Sequence, residues 1–114
     1  MRSIREIAEI CHAANLGLQA VNGDSQPSDP WWCLPAETQM VVMQGVERAL
    51  KGATPAELHL SWMVSMQERG WRHGPVKDPQ KRTHPNLVPY SELPQAERDK
   101  DSLFRAIVEW AKNT

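Results

Sequence analysis

Apolar residues return every three to four positions over four stretches of this chain, with polar punctuation between them. In the first, Ile4, Ile7, Ala8, Cys11, Ala14 and Leu18 share one helical face running to about Ala20. Ser3 is placed to cap that helix, and Glu6 three residues on completes a capping box. His12, Asn15 and Gln19 form a polar line beside the stripe, and Asn22-Gly23-Asp24 ends it. A second helix is predicted from about Ala36 to Lys51, carrying Met40, Val41, Met43, Val46 and Leu50 and stopping at Gly52. Gly45 inside it costs up to ~1 kcal/mol relative to Ala and points to close approach by another element. The third start is the clearest: Thr54 caps, Pro55 takes the first helical position and Glu57 the third. That helix reaches Arg69 and stops at Gly70, with Leu58, Trp62, Ser65/Met66 and Arg69 as its core stripe and Leu60, Met63 and Val64 widening the apolar face.

Two stretches lack a helical period. Residues 23–35 hold three prolines and the pair Trp31-Trp32, of which at least one ring is expected to be buried as an anchor. Residues 71–93 hold four prolines. There Trp71–Gly74 and Leu87–Tyr90 are candidate short strands, the second confined to an edge by Pro89. A last helix is predicted from about Gln95, or from Ser102 if broken, to Lys112, with Leu103, Phe104, Ile107, Val108 and Trp110-Ala111 on its apolar face. The expected fold is mainly α with a small β element, an α+β chain forming a single domain over 1–114.

Composition narrows the function. A net charge of −1 with 24% charged residues argues against binding a nucleic-acid strand, which requires a basic excess. No apolar run approaches the roughly 18–20 residues of a membrane span, and no signal-peptide core follows Met1, so a cytoplasmic address and no membrane association are expected. Cys11 and Cys33 lie in no CxxC pattern and are expected as reduced thiols. The four histidines show no HxxxH or HExxH spacing, and no GxSxG or cysteine nucleophile motif occurs, so neither a metal, a cofactor nor catalysis is expected. Asp and Glu fall mainly on helical surfaces, where solvation accounts for them.

What stands out is the segment from His59 to Phe104. Trp62, Trp71 and Tyr90 offer flat faces for a base, and Lys77, Lys81 and Arg82 offer charge for a phosphate. His59, His73, His84 and Asp78 offer hydrogen bonds to ribose or base edges. Those are parts for one nucleotide. The competing account makes Trp71 and Tyr90 core plugs, His84 a structural hydrogen-bonder and Lys77 to Arg82 a solvated basic turn.

The punctuation of the segment adds a family. His59-x-x-Trp62, then Gly70-Trp71-x-x-Gly74-Pro75, Asp78, Lys81-Arg82, His84-Pro85, Leu87-Val88-Pro89-Tyr90 and Glu92-Leu93-Pro94 resemble the ryanodine-receptor repeat, the RyR domain, over residues 57–108. The N-terminal half is similar to small stand-alone versions found in bacteriophage and bacterial genomes. The resemblance implies helices packed around a Pro-rich extended loop or short hairpin, with 54–114 as the repeat core and 1–53 as a helical extension. In the large calcium-release channels the repeat occurs in tandem, and tryptophans of the H-x-x-W motif line an adenine-nucleotide site between copies. Residue by residue, His59 and Trp62 are the matching positions. The resemblance also implies a non-enzymatic binder or sensor of nucleotide-derived ligands in a bacterial host cell, some relatives acting in phage–host conflict.

Departures qualify that likeness. Position 73 is His where relatives have Tyr or Ser, Arg82 stands for a common Lys, and Met63, Val64, Met66 and Gln67 replace frequent basic residues. The weaker basic lining argues against a triphosphate. One repeat per chain implies that a two-copy site needs a homodimer, with Trp62, Met63 and Met66 suited to an isologous patch. The expected ligand site is thus His59, Trp62, Met66, Trp71, His73, Lys81, Arg82, His84 and Tyr90. The alternative is a protein-interaction adaptor built on the Trp- and Pro-rich loops.

Overall fold

The computed structural model describes residues 1–114. Its frame is four helices: α1 (Ile4–Val21), α2 (Ala36–Leu50), α3 (Pro55–Glu68) and α4 (Gln95–Ala111). The starts of α1 and α3 follow from local chemistry. The Glu6 N–H donates to the Ser3 hydroxyl at 3.1 Å and the Ser3 N–H to the Glu6 carboxylate at 3.3 Å. Thr54 and Glu57 repeat the exchange at 3.0 and 3.2 Å, with Pro55 at the first helical position. Each box satisfies two donors that a helix start would otherwise leave open, worth about 1 kcal/mol for the cap. α3 closes on Gly70 at φ +84°, a left-handed geometry that glycine adopts without strain. α4 runs unbroken from Gln95.

The apolar stripes meet where α1, α2 and α4 converge. Ile7, Val46 and Val108, one from each helix, are fully buried, and Ala8, Cys11, Trp31, Ala49, Leu58 and Ala111 complete the cluster. Burying each of the three aliphatic side chains contributes about 1.5–3 kcal/mol. Burial pushes the Cys11 thiol up to about 12, so it is an inert packing group; Cys33 is exposed. A Cβ on Gly45 would meet the Phe104 ring at 3.2 Å, which is the close approach its sequence position suggested. α2 and α4 each pack against both α1 and α3. α1 and α3 therefore lie across from one another, and the space between them is not filled by the apolar cluster.

The extended element differs from expectation. A parallel pair joins β1 (Arg72–His73) to β2 (Thr83–His84), with Arg72 opposite Thr83 and His73 opposite His84. Leu87–Tyr90 forms no strand; Leu87 is buried and Tyr90 opens a 3-10 turn, Tyr90–Glu92. The loop from 74 to 82 folds back on itself. Asp78 and Thr83 exchange backbone hydrogen bonds at 3.0 and 3.1 Å, and Asp78 Oδ1 accepts the Gln80 and Lys81 N–H groups. Leu60 and Val64 also depart from the expected core, being 60% and 45% exposed on the outer face of α3. Of the tryptophan pair, Trp31 is buried and Trp32 is 80% exposed.

Candidate functional site

Between α1 and α3, across α4, lies a cleft of about 320 Å³. Asn15 and Gln19 line it from α1, Asp24, Gln26 and Ser28 from the loop that follows, and His59 and Trp62 from α3. Lys77 and the run His84-Pro85-Asn86 enter from the loop between α3 and α4, and Glu97, Lys100, Asp101 and Phe104 from α4. The polar line beside the first apolar stripe thus faces inward: Gln19 is 4% exposed, and its amide accepts the Ser28 N–H at 3.0 Å.

Trp62 forms the apolar part of the wall together with Leu93 and Phe104, and sits at the middle of a row of rings. His59 stacks on it at 5.5 Å between centroids and 29° between planes, and His84 meets it edge-on at 5.0 Å and 79°. Tyr90 lies beyond His59 at 6.1 Å and Trp71 beyond His84 at 6.3 Å. Five residues scattered from 59 to 90 therefore become one aromatic row. Two hydrogen bonds fix its imidazoles. His59 Nε2–H donates to the Val88 carbonyl at 2.8 Å, and His84 Nδ1 accepts the Asn86 N–H at 3.0 Å. The second bond leaves the proton of neutral His84 on Nε2, with no protein acceptor. Burial, then the charges of Lys77 and Lys100, push the His84 pKa down to about 4, so the ring is neutral at physiological pH.

Charge in the cleft is nearly balanced. Lys100 bridges Glu97 at 3.0 Å and Asp24 at 3.5 Å. The Gln26 N–H at 2.9 Å, then Lys100, holds the Asp24 carboxyl below its usual range. Lys77 makes no ion pair. Asp101 is the outlier: burial, reinforced by Glu97, pushes its pKa up to about 7. Trp62, Asp101 and Phe104 are shared with a second, mostly apolar pocket of about 170 Å³ walled by α2, which contributes Val41, Val42, Gly45 and Arg48.

Of the nine site residues expected from sequence, His59, Trp62 and His84 line the cleft. Trp71 and Tyr90 back it through the aromatic row without lining it. The other four lie elsewhere. Met66 is buried with its sulfur against the Arg69 guanidinium at 3.4 Å, so it is not free to face a partner chain. His73 is exposed on β1, and Lys81 is exposed in the loop after Asp78. Arg82 is exposed too, at φ 54°, and donates from its guanidinium to the Arg69 carbonyl at the end of α3. The cations at the cleft are instead Lys77 and Lys100. Sequence reasoning passed over Asn15, Gln19, Lys100 and Asp101 as site residues. The inward-turned polar line on α1 was a usable signal for the first two. The acidic and basic residues of α4 gave none, since their spacing is that of a solvated helix face.

No group of three or more His, Cys, Asp or Glu side chains gathers in a metal-binding arrangement. No helix is long and apolar enough to cross a membrane. Compared with known proteins, the chain is matched by the family model described as the RyR domain over residues 33–109, a span that takes in α2, α3 and most of α4. No solved structure matches the chain.

Proposed function

This chain belongs to the RyR domain family, and on that premise we propose that the cleft between α1 and α3 binds a nucleotide-derived, adenine-containing small molecule without turning it over. The observation that carries the reading is Trp62, half-buried on the wall of a polar cleft instead of sealed in the apolar cluster. Its indole is backed by His59 and braced by His84, so its position is set before a ligand arrives. A purine on an aromatic face contributes about 1–3 kcal/mol. Asn15, Gln19, Asn86 and the carboxylates supply the mixture of donors and acceptors that a sugar needs.

Size and charge set the ligand class. At about 320 Å³ the cleft is at the small end of binding cavities, which run from roughly 300 to 1,000 Å³. With Lys100 already engaged by two carboxylates, Lys77 is the one cation at hand for a phosphate. A nucleoside or mononucleotide unit suits this lining better than a triphosphate. Because the lining comes from one chain, a homodimer is an addition to the site, checked by light scattering with and without ligand. A role as a phage protein that captures or senses a host signalling nucleotide is the biological form of the same reading.

Calorimetric titration with adenosine, AMP, ADP and ATP tests it. Binding is expected to be strongest for the smaller ligands, and Trp62→Ala is expected to weaken it roughly five- to hundredfold. Absence of heat with every ligand, in a folded protein, refutes the proposal. Recovery of intact ligand after long incubation separates capture from turnover, a needed control because a carboxyl near pH 7 also suits proton transfer. One observation favours a second reading, a protein-interaction module. Trp32, 80% exposed beside the anchored Trp31, has no internal role. On that reading Trp32→Ala abolishes recruitment of a defined protein and leaves nucleoside binding intact.

A further inference from the structure

Asp101 stands where the two cavities meet. It lines the polar cleft with Trp62, and it lines the apolar pocket with Gly45, Leu58 and Phe104. Its neighbours on α4 are occupied: Lys100 with Asp24 and Glu97, and Asp99 with the Gln95 amide at 2.8 Å. The Asp101 carboxyl has no hydrogen bond or ion pair within the protein, although it is largely withdrawn from solvent. A carboxyl so placed is costly unless something completes it. The charged and titratable groups around it are Glu97 and Lys100 on its own helix, Arg48 on α2, His59 on α3, Asp24 after α1, and Lys77 and His84 from the loop before α4.

Resting on the proposal that a purine stacks against Trp62, we infer that Asp101, which shares both cavity walls with Trp62 and has no partner within the protein, reads the hydrogen-bonding edge of that base. The neutral acid offers one donor and one acceptor. That pattern complements a 6-aminopurine, whose ring nitrogen accepts and whose amino group donates. The carboxylate offers two acceptors, which complement the adjacent ring N–H and amino donors of a 2-amino-6-oxopurine. Burial and Glu97 put the midpoint between the two forms near neutrality, so both are populated near pH 7. His84, neutral throughout this range, supplies a constant Nε2–H donor and does not confound the choice.

The test is calorimetric titration of adenosine and guanosine at pH 6 and pH 8 against the full chain and Asp101→Asn. Affinity scales with the fraction of protein in the competent form, so with a midpoint near 7 adenosine binding falls about tenfold from pH 6 to pH 8 while guanosine binding rises about tenfold. In Asp101→Asn the amide keeps one donor and one acceptor at every pH. Adenosine binding then becomes independent of pH, and guanosine binding stays weak. Circular dichroism confirms that the nearly isosteric variant is folded. If both nucleosides bind the unmodified chain with a ratio that does not move with pH, or if Asp101→Asn keeps the movement, the inference is overturned while the binding proposal stands. If neither nucleoside nor its monophosphate binds the unmodified chain, both fall together.

Discussion

Replacing Asp101 with Asn should stabilise this protein, and by an amount that depends on pH. The carboxyl titrates near 7 in the fold against an ordinary value of 3.8. Above about pH 7 it is charged in both folded and unfolded chains, so the folded state carries the whole cost of holding a charge in a desolvated wall beside Glu97. Below 3.8 it is neutral in both, and the cost is gone. Stability therefore rises as pH falls across that window, since the folded chain binds the proton first. Each pH unit is worth about 1.4 kcal/mol, which makes roughly 4 kcal/mol an upper bound. Access of water through the cleft screens the charge and reduces the effect to about 2 kcal/mol. The Asn amide carries a desolvation cost of its own, but one constant with pH, so the slope carries the test and not the offset. Thermal melts of both proteins at pH 4, 5, 6, 7 and 8 measure it. Subtracting one curve from the other removes the titrating groups that do not interact with Asp101, and the variant should gain roughly 10 °C relative to the parent between pH 4 and pH 8. A difference that stays flat, or that grows toward acid, would show that the carboxyl is better solvated than its surroundings indicate and would undercut its place in the cleft wall.

Two other substitutions probe the frame around the cleft. His84 titrates near 4 in the fold, so its contribution is present above the ordinary value of 6.5 and lost as pH falls through about 4, opposite in sign to Asp101. His84→Asn can keep the bond to the Asn86 N–H as a local side-chain turn. Urea denaturation should find it less stable than the parent at pH 7 through lost ring packing, with the deficit shrinking by roughly 2 kcal/mol at pH 4.5; an unchanged deficit would contradict the buried, neutral ring. Gly74→Ala should cost about 1–3 kcal/mol in the same assay, because its Cβ would lie 2.6 Å from Thr83 Cβ and force β1 off β2. A neutral result would mean that the strand pair is loosely held.

The helices were legible because their signals are local. Ser3 with Glu6, and Thr54 with Pro55 and Glu57, announce starts through bonds made within four residues, and Gly70 announces a stop through a backbone angle. Of the parallel pair, β1 falls within the expected strand Trp71–Gly74, whereas β2 at Thr83–His84 was not legible, since two-residue strands carry no periodicity and are defined by what holds the loop. The site divides along the same line. His59 and Trp62 were visible because i and i+3 share a helix face, and His84 because proline punctuation marked its segment. Lys77, Lys81 and Arg82 attracted attention as one charge run, yet Arg82 caps the end of α3, Lys81 stays exposed, and the cations lining the cleft are Lys77 and Lys100. Nothing in the spacing of Glu97, Lys100 and Asp101 distinguishes them from solvated charge. Only the packing of α4 against both α1 and α3 turns them inward.

A chain of 114 residues that leaves a polar cleft beside its core forgoes apolar burial it can ill spare, because small domains bury a modest share of their surface. The buried polar side chains show how the loss is contained. His12 donates to the Asp29 carbonyl at 2.6 Å, Gln19 accepts the Ser28 N–H at 3.0 Å and His59 donates to the Val88 carbonyl at 2.8 Å. Each is a helix residue, itself buried, whose side chain reaches into a proline-bearing loop and pairs with a backbone group there, a bond worth about 0.5–1.5 kcal/mol apiece. The helices therefore act on the loops as clamps, and the loops, so held, form two walls of the cleft with only short strands and 3-10 turns of their own. Pre-positioning of this kind removes the ordering cost that binding would otherwise carry. It also assigns different work to the histidines: His12 and His59 spend their Nε2 protons on the frame, whereas His84 keeps its own free. A ligand entering between Trp62 and Asp101 would meet walls already in place and, at His84, a donor with no competing partner.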